Sequence, residues 1–393
     1  MQQMMEQSNT QFSETTQRLR DKKVVDMMPN KRRLVEVPYT ATLAHTMNAL
    51  VANQVLAVPV AAPPGHWIGA GGSMIVEADR QTGAVRKHYI GMATMLDILA
   101  HIAGNDGDQL MVDEGGIHDG GFDLEHKMSV PVSSIIGHCL EGLSLWTLNP
   151  NTRLFNSRVL SIIDCMEVFS KGIHRALVPL DSHMNNVSGV ELVESASSYR
   201  MLTQMDVLRF LKEHAEASTE LNGILSRTVS ELGAVTERVY AITDRTKVID
   251  AIKCMRIALL NAVPIVSSSP ANEDDHKQLV NGRGRQVLGT FSATDIRGCH
   301  LSTLKTWLPI SALEYTETIS ASPLLSSNPN AVESARELVA CRVDSTLAEV
   351  IDKVVTKHVH RIWVVDQQGL LMGLISLTDI IRVLRHAVMS ETS

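Results

Sequence analysis

Residues 341–384 read CRVDSTLAEVIDKVVTKHVHRIWVVDQQGLLMGLISLTDIIRVL, and the fold follows from them. After Ser345-Thr346, the apolar residues Leu347, Val350, Ile351, Val354 and Val355 recur at helical spacing and share one face. The run Ile362–Val365 then predicts a strand, Asp366–Gly369 a tight turn, and Leu370–Ile375 a returning strand. Ser376 caps a closing helix that carries Leu377, Ile380, Ile381, Leu384 and Val388 on one face. A two-stranded ribbon with two helices is too small to bury its own apolar side, so the unit needs copies to pack against.

Three further copies occur. A helix pattern through Val248, Ala251, Ile252, Met255 and Leu259 leads to AVPIV at 262–266 and to VLGTFSATDIRG at 287–298. LFNSRVLSIIDCMEVF (154–169) leads to HRALVPL and YRMLTQMDVLRFL, and TLAHTMNALVANQ (42–54) leads to LAVPV and YIGMATMLDILAH. The insertions between paired strands differ in length, as surface hairpin loops tolerate. These boundaries divide the 393 residues into a tail at 1–27, repeat one at 28–104, a Gly/Asp-rich linker at 105–128, repeat two at 129–216, repeat three at 224–300, a Ser/Pro/Asn-containing linker at 301–334, and repeat four at 335–391. The fold class expected is α+β.

Each repeat ends on the same corner: Thr94-x-x-Asp97, Thr203-x-x-Asp206, Ser292-x-x-Asp295 and Ser376-x-x-Asp379, each expected to leave a strand and enter a helix. Such a pair is a variant of the capping box, in which the hydroxyl and the carboxylate satisfy the orphan amides of a helix start. A carboxylate held at that corner also suits the vicinal hydroxyls of a ribose, with neighbouring hydroxyls such as Thr378 and the backbone facing phosphate or base. Capping and ligand binding are compatible. A second repeated element is His174-Arg175 and His360-Arg361, each directly before the first strand of a hairpin. The Arg fork fits phosphate oxygens and the His adds a donor whose charge depends on its surroundings.

Other chemistry is poorly supported. Lys and Arg total 36 against 43 Asp and Glu, a net charge of -7 that disfavours a general nucleic-acid or anionic-membrane binder. The five Cys are scattered without a CxxC, so no zinc knuckle or disulfide framework is expected, and a reducing compartment, cytoplasm or nucleus, fits. The longest apolar stretch, near Leu43–Ala62, is interrupted by polar residues and predicts no membrane span. His358-x-His360 lacks further metal ligands, and the Gly-rich segments 69–73 and 115–121 lack the pattern of a phosphate loop. The four repeats leave no room for a catalytic domain, so no enzyme and no required cofactor are expected.

The corners, the His-Arg pairs and the 341–384 unit resemble tandem CBS domains, and more narrowly the gamma regulatory subunits of AMP-activated protein kinase and its plant sucrose-non-fermenting relatives. The resemblance covers about residues 28–391 and implies two tandem pairs, 28–216 and 224–391, in a flat disc. It implies ribose binding by Asp97, Asp206, Asp295 and Asp379 with Thr94, Thr203, Ser292, Ser376 and Thr378, phosphate binding by His174, Arg175, His360 and Arg361, and a ligand-facing Thr246. The implied regulatory ligands are AMP, ADP or ATP, and the implied partners are a catalytic alpha-type kinase subunit and a beta-type scaffold subunit in an energy-sensing complex. Leu56 stands where animal gamma subunits carry an Arg, and repeat three offers Asn261-Ala262 in place of His-Arg. Asp206 conversely supplies an acid that the second repeat of the animal subunit lacks. An interaction scaffold that senses no nucleotide is the alternative.

Overall fold

Short strands that the apolar periodicity did not reveal precede the first helix of each repeat and enlarge its ribbon to a sheet. In repeat one, β1 (Val37–Pro38) leads through α1 (Leu43–Ala52) to β2 (Ala57–Ala61), β3 (Tyr89–Thr94) and α2 (Met95–Gly104), followed by α3 (Leu124–Ser129). Repeat two runs β4 (Leu145–Thr147), α4 (Ile162–Ser170), β5 (Arg175–Pro179), β6 (Tyr199–Thr203) and α5 (Gln204–His214), followed by α6 (Thr219–Leu225). Repeat three comprises β7 (Tyr240–Thr243), α7 (Val248–Ile257), β8 (Ala262–Val266), β9 (Val280–Asn281) and β10 (Val287–Ser292), then α8 (Leu304–Trp307) and α9 (Ala312–Ala321). Repeat four is β11 (Ala340–Cys341), α10 (Leu347–Lys357), β12 (Arg361–Val365), β13 (Leu371–Ser376) and α11 (Leu377–Ser390). This computed structural model describes residues 22–28, 31–62, 89–104, 124–136, 145–147, 161–179, 199–215, 219–268, 275–321 and 338–390.

The sheets share one plan. The first strand lies parallel to the second across an intervening helix, and the second forms an antiparallel pair with the last, as in β11-β12-β13; in repeat three the extra strand β9 pairs antiparallel with β7 at the opposite edge, giving the order β10-β8-β7-β9. Ser161 and Thr346 cap α4 and α10 in reciprocal capping boxes with Asp164 and Glu349, which fixes where those helices start.

Segments outside the repeats tie them together, and four sequence expectations change here. The end of the expected tail is packed: Val24 and Met28 are buried beside α4 and α5, and the Ile162 amide donates to the Lys22 carbonyl at 3.1 Å. The end of the 105–128 linker begins α3, whose Met128 enters the core of repeat one. The described part of the 301–334 linker is helical, because Leu304, Trp307, Ala312 and Tyr315 form an apolar face against repeats one and three. In repeat three these helices replace the expected closing helix. Ala293–Gly298 is a series of turns, the Asp295 amide bonding the Ser292 carbonyl at 3.0 Å rather than the hydroxyl.

Two large apolar cores join the repeats helix to helix. One gathers α4 and α5 with α10 and α11, so that repeat two packs on repeat four; the other joins α2 and α7, so that repeat one packs on repeat three. Sheet contacts run differently. Val239, Ala241, Val266 and Val287 of repeat three meet Trp363 and Leu371 of repeat four, and the Trp363 indole donates to Thr290 Oγ1 at 2.6 Å. Thr236 and Leu374 exchange two backbone bonds of 2.9 Å, an approach possible because residue 373 is Gly: a Cβ there would lie 2.7 Å from Val235 Cγ1. Between repeats one and two, Tyr89 and Tyr199 meet edge to face at 5.6 Å. Each repeat thus touches one neighbour through its sheet and another through its helices, and a cavity is left where all four meet.

Candidate functional site

Strand register decides what faces that cavity. The first residue of each hairpin pairs with the corner hydroxyl residue: Ala57 with Thr94, Arg175 with Thr203, Ala262 with Ser292, and Arg361 with Ser376. All eight line one cavity of about 1470 Å³, together with the preceding residues Leu56, His174, Asn261 and His360. The repeats therefore alternate. Repeats two and four present His-Arg, whereas repeats one and three present Leu-Ala and Asn-Ala at the same positions, giving a cationic and a neutral part of one wall.

Burial and neighbouring charge set the ionisation of the four side chains. Burial lowers Arg175 to about 10, opposed by Asp97, and burial lowers Arg361 to about 10, opposed by Asp379. Burial and then the charges of Arg175, Arg361 and His174 push His360 down to about 4, while burial and Arg361 depress His174. Both rings are thus neutral near pH 7, leaving two buried guanidinium charges, both felt by His360, on the cavity wall. Arg361 Nη1 donates to the Ala262 carbonyl at 2.9 Å, but its Nε is buried without a hydrogen-bond partner. A cluster of this kind is poised for an anion, which would offset the burial of the two charges and accept the unsatisfied Arg361 Nε donor.

The corner carboxylates divide into two groups. In every repeat the Ser or Thr amide and hydroxyl donate to one Asp oxygen, at 2.7 and 2.8 Å for Thr94–Asp97 and at 3.0 and 2.5 Å for Ser376–Asp379. Capping is therefore realised at all four, although in repeat three it closes a turn rather than a helix. Asp97, Asp295 and Asp379 sit behind the cavity wall, which is formed there by Thr94, by Ser292 and Thr294, and by Ser376 and Thr378. Asp206 alone among the four lines the cavity itself. Thr246 is fully buried away from it, its hydroxyl within 3.0 Å of the Thr243 hydroxyl and accepting the Thr243 amide at 3.1 Å, so the ligand-facing placement expected for it is not found.

Two cavity residues were not anticipated. Gln204 donates to Thr378 Oγ1 at 2.8 Å and to the Phe169 carbonyl at 3.1 Å, linking the corners of repeats two and four. Lys31, from the N-terminal segment, forms an ion pair with Asp206. Gln204 lies within a corner motif and was open to notice, whereas no local pattern announces Lys31. Among the described residues no group of three potential metal ligands occurs, and no helix is long and apolar enough to cross a membrane.

Comparison with known proteins places this architecture. The CBS domain family pattern matches residues 332–386. The SNF1-related protein kinase regulatory subunit gamma-like PV42a of Arabidopsis thaliana is 60% identical over 366 residues, covering 92% of this chain and 94% of that protein. This chain belongs to the gamma-like regulatory subunits of SNF1-related kinases. The related PV42b of the same plant is 58% identical over 95% of this chain and 97% of that protein. The gamma-like fold is also found in the crystal structure of MJ1225 from Methanocaldococcus jannaschii, described as a candidate archaeal homolog of g-AMPK, with a TM-score of 0.55 and 16% identity over 92% of this chain and 99% of that one.

Proposed function

We propose that this gamma-like subunit is a non-catalytic regulator that binds an adenine nucleotide in the central cavity and thereby tunes a kinase formed with an alpha-type catalytic and a beta-type scaffold subunit. The observation that carries the reading is the convergence of His174, Arg175, His360 and Arg361 on one cavity, with the Arg361 Nε unsatisfied. Two guanidinium charges match a dianionic phosphate, and the surrounding corner hydroxyls offer partners for a ribose. Nucleotide acts by binding one kinase conformation better than another, since equal affinity shifts no equilibrium.

The test is reconstitution with alpha- and beta-type subunits and measurement of peptide phosphorylation with and without AMP, ADP or ATP analogues. Activity that changes with nucleotide in the wild-type complex, and does not in Arg175→Met/Arg361→Met, supports the reading. A complex that assembles and phosphorylates identically in both proteins at every nucleotide level points to the scaffold alternative, which the neutral Leu56 and Asn261 positions favour.

A further inference from the structure

The corner of repeat two differs from the others in what already sits on its acid. Asp206 Oδ2 accepts the Thr203 amide at 2.8 Å and hydroxyl at 2.7 Å, as elsewhere, but Lys31 Nζ is bound to the same oxygen and Arg209 Nη1 lies 3.8 Å from Oδ1. Repeat four has a cation on Asp379 too, but it is Arg382 of the same helix, half exposed, and it engages the oxygen away from the Ser376 bonds. Lys31 is brought from outside the repeat. Its backbone amide bonds the Met28 carbonyl at 3.0 Å, and Met28 and Val24 are buried in the core of repeats two and four, so the residue extends from a fixed anchor. Lys31, Arg32 and Arg33 then follow the cavity wall.

A ribose needs a carboxylate oxygen with free acceptor capacity. At Asp206, the corner acid that reaches the cavity, Oδ2 is filled by the two Thr203 donors and a primary ammonium from the same chain, and that ammonium, itself lining the cavity, stands on the approach to Oδ1, which has only Arg209 at 3.8 Å. We infer that Lys31 is a built-in occupant of the repeat-two corner, excluding a nucleotide ribose from it unless the 22–33 segment is displaced. The inference rests on the nucleotide reading of the cavity and makes Lys31 the residue that sets how many corners accept ligand.

The test uses the full chain as wild type, Lys31→Ala, Asp206→Ala and the double variant. Lysine acylation read by mass spectrometry comes first, without nucleotide. Lys31 should react several-fold more slowly than the exposed Lys305 in the wild type, and as fast as Lys305 in Asp206→Ala. AMP titration follows: Lys31→Ala should take up one AMP more per chain than the wild type, and the double variant should lack the gain. A wild-type Lys31 as reactive as Lys305 overturns the plug whatever the titration gives. So does equal AMP stoichiometry in wild type and Lys31→Ala when both bind. Protected Lys31 with no AMP bound by either protein overturns the nucleotide reading, and ribose exclusion with it, while the ion pair itself stands.

Discussion

Replacing Arg361 by Met separates a binding residue from a structural one. Burial lowers the guanidinium from 12.5 to about 10, and because the side chain opens partly onto the cavity this reflects roughly 1–3 kcal/mol of strain in the unliganded fold. Against its removal stands the loss of the 2.9 Å bond to the Ala262 carbonyl, costing ~1.5–3 kcal/mol for a charged donor. Met keeps an apolar stem of similar reach, so packing changes little. The two contributions nearly cancel, and Arg361→Met is expected to unfold within about 1 kcal/mol of the wild type in denaturant without ligand. Ligand changes the comparison: AMP at a hundredfold excess over its Kd should stabilise the wild type by about 2.7 kcal/mol and the variant by almost nothing. The assay is a pair of denaturant titrations, each with and without AMP. A variant weakened by several kcal/mol that still gains full stabilisation from AMP would show that Arg361 serves the fold and not the ligand.

Three further outcomes follow from the same geometry. His360, held at about 4 against an ordinary 6.5, is neutral in the folded protein where the unfolded chain takes up a proton, so stability should decline as pH falls through that window and level off below it. Denaturation midpoints between pH 7 and 4 should lose this dependence in His360→Asn, and AMP binding to the wild type should take up protons, read as a buffer-dependent heat. Asp379→Ala removes the acceptor of the Ser376 amide and hydroxyl, and should cost about 1–2 kcal/mol by denaturant titration even without ligand. Trp363→Phe breaks the 2.6 Å bond to Thr290 between repeats three and four and should cost ~1–3 kcal/mol in the same assay, leaving the Thr290 hydroxyl without its indole donor.

The parts legible in the sequence were those written in local periodicity. In repeat four, the helix face from Leu347 to Val355, the hairpin and the corner at Ser376 all appear where the spacing places them, because each depends on neighbours within a few turns. Strands of two residues such as Val37–Pro38 and Ala340–Cys341 carry no usable period and were invisible. The helices at 304–321 were hidden by the polar composition that follows them, although Leu304, Trp307 and Tyr315 are core residues. Arg297-Gly298-Cys299 interrupts the helix expected after Ser292, which a motif centred on its first four residues does not register. At the site, repetition exposed the His-Arg pairs, since two sequence-distant copies in one register needed no structure to be paired. Lys31 and the depth of Asp379 depend on contacts across the chain, and single-sequence spacing holds no signal for either.

The claim on which the rest depends is that the His-Arg quartet holds a nucleotide phosphate. Calorimetric titration of the full chain with AMP, beside Arg175→Met/Arg361→Met, tests it most directly. Saturable binding is expected for the wild type and none for a double variant whose circular dichroism and melting without ligand are unchanged. Equal AMP affinity in the two proteins, or no binding of AMP, ADP or ATP by a folded wild type, would contradict it.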